Sequence, residues 1–100
     1  MDFLSQHSDQ IAALCKKHKV LELSAFGSVV RNELTPESDV DLVAQFGDVS
    51  LDDYADNYFD LCDALEELLQ RKVDLVVDKS VKNPYFREEL EETKKLLFAA

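Results

Sequence analysis

The chain has 100 residues, 46% of them apolar and 32% charged, with two glycines and two prolines. That supports one core and is too short for two, so a single domain over residues 1–100 is expected, with no long disordered linker. The net charge of −10 argues against direct nucleic-acid binding, which calls for a basic face, and favours a basic protein partner.

No apolar run approaches the length that crosses a bilayer, and the start, MDFLSQHSDQ, has neither the basic nor the apolar region of a signal peptide. Cys15 and Cys62 have no Cys-x-x-Cys spacing and read as buried free thiols of a cytoplasmic protein. His7 and His18 lack a metal-ligand pairing and read as surface residues.

In chain order, Ser5 or Ser8 is expected to cap a first helix running to about Lys17. Ile11, Leu14 and Cys15 share a stripe there, with Lys16 and Lys17 well placed at its C-terminus. Val20 to Phe26 reads as a strand ending in Gly27-Ser28. Ser28 to Asn32 reads as a short helix whose first turn offers backbone N–H groups. Glu33 to Ser38 is then a loop, with Pro36 fixing its backbone.

Asp39 to Phe46 is the second strand. Its period of two puts Asp39, Asp41 and Val43 on one face and Val40, Leu42 and Ala44 on the other. After Gly47 a long helix is expected from Leu51 to Gln70, opened by Ser50 with Asp53 three residues on. Its apolar stripe is Leu51, Tyr54, Ala55, Tyr58, Leu61, Cys62, Leu65, Leu68 and Leu69. Asp52, Asp56, Asp60, Asp63, Glu66 and Glu67 form a solvated face.

Lys72 to Asp78 is a third strand, in which Asp74 shares a face with Val76 and Asp78. Asn83 caps a helix from Pro84 to about Glu92, with Tyr85 and Phe86 read as its core anchors ahead of the alternative, exposed aromatics that contact a partner. Lys95 to Phe98 reads as a last short strand. Strands alternating with helices give an α/β (α+β) class, a small mixed sheet with helices packed on it.

The chemistry concentrates between Ala25 and Leu42. Asp39 and Asp41 are paired carboxylates that repel each other when buried, and a Mg²⁺ ion bound through their oxygens removes that cost. Asp74 interrupts the apolar run of the third strand and is the natural third carboxylate for a metal site. Gly27 lets the backbone approach a phosphate, and the Ser28 hydroxyl can donate to it. Arg31, one turn on, either neutralises charge at the site or forms a structural ion pair. Each feature alone has a plain reading as a turn or a surface charge. Their joint occurrence at strand ends points to phosphoryl or nucleotidyl chemistry.

The pattern Gly27-Ser28-x-x-Arg31, then Ser38-Asp39-x-Asp41-Leu42, then Asp74 in a strand, resembles the nucleotidyltransferase superfamily with its polymerase-beta-like fold. Together with Asn83-Pro84-Tyr85-Phe86-Arg87, it is most similar to the minimal nucleotidyltransferases, the MNT proteins that act as antitoxins beside HEPN-domain toxins. The resemblance implies Mg²⁺-dependent transfer of AMP from ATP, with release of pyrophosphate. By position, Asp39 and Asp41 would hold the metals and the triphosphate. Asp74 would complete the site and help activate the acceptor, and Gly27 and Ser28 would bind phosphate. Many relatives read Gly-Ser-Arg-x-Arg-Gly, whereas here Val29 replaces the first arginine and Asn32 the last glycine.

A domain this small has no further segment for an acceptor pocket. The acceptor is therefore expected on another chain, a HEPN-type toxin by the resemblance, or in a pocket that a partner completes. Two other readings are a non-catalytic antitoxin acting by stoichiometric binding and a subunit of a small-molecule nucleotidyltransferase.

Overall fold

The computed structural model describes residues 2–31, 35 and 38–100, without the side chains of Asp2, Phe3 and Ser28. Within it the alternating segments become four strands of one mixed sheet: β1 (Val20–Phe26), β2 (Val40–Phe46), β3 (Val73–Val77) and β4 (Lys95–Ala99), in the order β3-β2-β1-β4. β1 is antiparallel to β2 and to β4, whereas β2 and β3 are parallel. Parallel neighbours need a crossover, and the long helix supplies it. The helices are α1 (Asp2–Ser5), α2 (Ser8–Lys17), α3 (Leu51–Leu69) and α4 (Pro84–Thr93).

The local signals act as expected at the helix ends. The Ser50 hydroxyl accepts from the Asp53 N–H and donates to the Asp53 carboxylate at 2.9 Å. The Asn83 side chain accepts from the N–H groups of Tyr85 and Phe86, and Pro84 occupies the first turn of α4. The tail does pair as a strand beside β1.

One sheet face, made by Leu23 and Ala25 of β1, Val40, Leu42 and Ala44 of β2 and Leu75 of β3, is buried in the main core. Ile11 and Cys15 of α2 and Leu61, Leu65 and Leu69 of α3 join that cluster, with Leu4, Val20 and Val29. The other face carries Asp41, Val43 and Gln45 of β2 by alternation. α4 lies on this second side: the Phe86 and Phe26 rings meet edge to face, and Glu91 and Lys94 line a hollow with Ser24 and Val43. The carboxylates thus sit on the face opposite the main core.

Several expectations need correcting. α2 starts at Ser8 with His7 in the capping position and no side-chain cap, while Ser5 ends a separate four-residue helix. His18 is not a surface residue: it is 6% exposed. Its Nδ1 donates to the Leu14 carbonyl, because a carbonyl can only accept, and its own carbonyl accepts from Asn57 of α3 at 2.8 Å. The ring therefore closes the end of α2, and the His18 carbonyl ties that end to α3.

Leu51 lies on the same helical face as Leu65 but is 94% exposed, so the first turn of α3 reaches beyond the packed core. Ala55 is exposed with it. Glu66 leaves the solvated face, its carboxylate accepting from the Val73 N–H. Tyr85 is 83% exposed, and only Phe86 of that pair is half-buried. The two cysteines, both expected to be buried, differ: both are free, but Cys15 is buried and Cys62 half-buried. The expectations for Asn32, Glu33 and Pro36 lie outside the described residues. No helix among the described residues is long and apolar enough to cross a membrane.

Candidate active site

The site begins at the end of β1. Gly27 has φ +71°, a conformation that glycine adopts freely and other residues rarely. It opens a 3-10 turn over Gly27–Val29, and its carbonyl accepts from the N–H groups of Val30 and Arg31 at 3.1 and 3.2 Å. The short helix expected from Ser28 is therefore one tight turn that starts a residue earlier. Ser28 lies within it.

Strand register assembles the rest. Phe26 pairs with Asp41 across the antiparallel β1–β2 ladder, and Asp41 pairs with Asp74 across the parallel β2–β3 ladder. The row Phe26–Asp41–Asp74 thus crosses three strands, with neighbouring strands about 4.8 Å apart. A Cβ on Gly27 would fall 3.3 Å from Asp41 Cγ and closer still to Oδ2, so the glycine leaves the space that this carboxylate occupies. Asp39 is exposed and lies just ahead of β2, which starts at Val40 rather than at Asp39.

Burial pushes the Asp41 carboxyl above its usual range, and the charges of Asp74 and then Asp39 add to that shift, while Arg31 opposes it. Asp41 is half-buried, whereas Asp39, Asp74 and Arg31 are exposed. Asp39, Asp74 and Arg31 are thus near enough to act on the Asp41 carboxyl. Among the described residues, no group of three or more His, Cys, Asp or Glu side chains is already arranged to hold a metal ion. The available donors are nonetheless carboxylate oxygens beside a glycine-lined gap, the donor type that Mg²⁺ takes.

Val29, at the position where the related motif carries an arginine, is 4% exposed and packs in the core. In this chain the position faces the core rather than the carboxylates.

Sequence reasoning missed the side chains that hold the aspartates' backbone. Arg71 Nη1 donates to the carbonyls of Thr35 and Ser38, at 2.6 and 3.4 Å, next to Asp39. On the other carboxylate strand, Glu66 accepts from Val73 N–H and the Tyr58 hydroxyl donates to the Leu75 carbonyl, so α3 grips β3 on both sides of Asp74. β3 is an edge strand, and its outer backbone groups need partners from outside the sheet. No local pattern marks these contacts. The only signal is that Tyr58 and Glu66 are polar groups near the apolar stripe of α3.

Residues 8–97 match the family model described as Nucleotidyltransferase domain. A Methanocaldococcus jannaschii protein described as a candidate protein adenylyltransferase is 41% identical over 91 residues, which are 91% of this chain and 87% of that protein. The solved structure of a candidate minimal nucleotidyltransferase superposes with a TM-score of 0.79 at 29% identity, covering 94% of this chain and 92% of that one. A chain from the complex of a tri-AMPylated Shewanella oneidensis HEPN toxin with its MNT antitoxin superposes with a TM-score of 0.66 over 97% of this chain and 73% of that one. Its identity is 18%, so the likeness is one of fold.

Proposed function

The chain belongs to the nucleotidyltransferase domain family, and from that premise we propose that it transfers AMP from ATP to a hydroxyl of a partner protein. The partner proposed is a HEPN-type toxin, which this chain would neutralise as an antitoxin. The observation that carries the reading is the register of Asp41 with Asp74, beside a glycine that makes room for the Asp41 carboxylate. The candidate adenylyltransferase relative and the AMPylated toxin complex support the class of acceptor. The net charge of −10 favours a basic partner surface.

In this reading Asp39 and Asp41 would hold Mg²⁺ beside the triphosphate. When bound, Mg²⁺ neutralises phosphate charge and stabilises the charge that develops during displacement. Gly27 and Ser28 seat the phosphates at the tight turn, and Arg31 adds positive charge beside them. Asp74 orients the acceptor hydroxyl and takes its proton as the oxygen attacks the α-phosphorus. The bond from that phosphorus to the bridging oxygen breaks, and pyrophosphate leaves. The exposure of Asp74 lets the proton pass on to solvent.

The test is incubation with ATP, Mg²⁺ and the protein encoded beside this one, followed by intact-mass measurement. The partner should gain one or more AMP units, and Asp39→Asn or Asp41→Asn should abolish the gain. A tight complex with no mass gain would replace the enzyme by an antitoxin acting through contact alone.

A further inference from the structure

A hollow of about 160 Å³ opens between the Gly27 turn and α4. Phe26 and Phe86 line it, their ring centres 5.8 Å apart and their planes at 64°. Leu90, almost fully buried, lies beneath them, and Glu89 and Thr93 add polar groups from α4. The remaining wall is Gly27 and Arg31, both of which border the carboxylate row as well.

Neither phenylalanine is part of the main apolar cluster, and both remain half-exposed. We propose that this hollow is the subsite for the nucleobase of the donor nucleotide, adenine in first place. The proposal rests on the AMP-transfer reading above and deepens it by naming what selects the nucleotide.

Three observations favour a base over other occupants. An edge-to-face pair leaves ring surface unused, and a planar heteroaromatic ring stacks well on such a surface. The volume lies below the roughly 300–1,000 Å³ of pockets that enclose whole ligands, so it takes a ring system and leaves ribose and phosphates outside. Those phosphates would then pass Gly27 and Arg31 on the way to Asp41, with no break between the two sites. The chemistry of α4 adds direction. Glu89 brings a carboxylate that only accepts, and the Thr93 hydroxyl already donates to the Glu89 carbonyl at 2.7 Å. Both therefore offer acceptors, which match the exocyclic amino group of adenine.

The test compares Mg²⁺-ATP with Mg²⁺-tripolyphosphate by calorimetry on the full chain. Wild type should bind ATP about tenfold or more tightly than tripolyphosphate. Phe86→Ala should reduce ATP to the level of tripolyphosphate while leaving tripolyphosphate itself unchanged, and Phe86→Tyr should keep the preference. An ATP preference that survives Phe86→Ala overturns the proposal. So does a variant that binds ATP normally but no longer modifies the partner, which would assign the ring to the acceptor. Wild type that binds neither ligand overturns the AMP-transfer reading, and the subsite with it. If Phe86→Ala does not fold, Glu89→Gln on the exposed side of α4 takes its place. It should narrow the discrimination between ATP and inosine triphosphate severalfold, and unchanged discrimination overturns the proposal.

Discussion

Gly27 and Asp41 meet where β1 gives way to the tight turn, and the place a side chain would take on the first is held by the carboxylate of the second. Gly27→Ala faces two costs at once. The left-handed φ of +71° disfavours any Cβ by about 1–2 kcal/mol, and that Cβ would displace the Asp41 carboxylate. For a domain of this size the melting temperature should fall by roughly 5–15 °C. AMP transfer should fall by about a hundredfold, the scale of an ångström-sized misplacement of a reacting group. Thermal denaturation and the intact-mass assay check both. A variant that is stable and active would show that the carboxylate does not need this space.

Asp41 should weaken the fold at neutral pH. Burial, then Asp74 and Asp39, raise its folded-state pKa against the opposing charge of Arg31. A raised carboxyl pKa means that the folded chain holds the proton more tightly than the unfolded one. The group's contribution to stability is then fully present below the ordinary carboxylate range and is lost as pH rises through the raised value. Asp41→Asn should therefore melt a few degrees higher than wild type at pH 7, while abolishing transfer. The difference should vanish as pH falls below about 4, where both states are protonated. Mg²⁺ at pH 7 should raise the melting temperature of wild type and leave Asp41→Asn unmoved. A lower melting temperature for Asp41→Asn at pH 7 would sink the electrostatic account.

What was legible in the sequence was local. Alternation marked β1 and β2, Ser50 with Asp53 marked the start of α3, and Asn83-Pro84 marked that of α4, because each signal lies within a few residues. The aspartates and the glycine turn could be named for the same reason, each closing or opening a strand. What could not be read depends on which strands become neighbours. The His18 carbonyl is met by Asn57 from 39 residues away, and Arg71 meets the Thr35 carbonyl across 36. The pairing of Asp41 with Asp74 needs the parallel β2–β3 ladder, which no alternation within either strand specifies.

The thiols should differ in reactivity. Burial pushes Cys15 up to about 12, so at pH 8 only about one molecule in ten thousand carries its thiolate. Burial also raises Cys62, which is half-buried rather than enclosed. With a disulfide-exchange reagent at pH 8, native protein should release the Cys62 signal first and that of Cys15 only on unfolding. Denatured protein should give both at once. Rapid modification of Cys15 in the native state would contradict its place in the core.

Two tyrosines on α3 should respond to the same substitution with opposite signs. The Tyr58 hydroxyl donates to the Leu75 carbonyl on the outer side of β3, one residue beyond Asp74. Burial, above all, pushes that phenol up to about 12, so it remains a donor through the physiological range. Tyr58→Phe removes the bond and leaves an edge-strand carbonyl without it, for an expected loss of about 1 kcal/mol. The Tyr54 hydroxyl, one turn earlier, is buried with no hydrogen-bond partner among the described residues. Its ring still meets Phe46 edge to face at 5.6 Å and lies 5.3 Å from the Lys79 ammonium, contacts that phenylalanine keeps. Tyr54→Phe should therefore be neutral or stabilising by up to about 1 kcal/mol. Denaturant titration of both variants measures the two signs. Because Tyr58 holds the strand that carries Asp74, Tyr58→Phe should also slow the proposed transfer, and Tyr54→Phe should not. Equal effects on the two would mean that α3 does not position β3 through the Tyr58 hydroxyl.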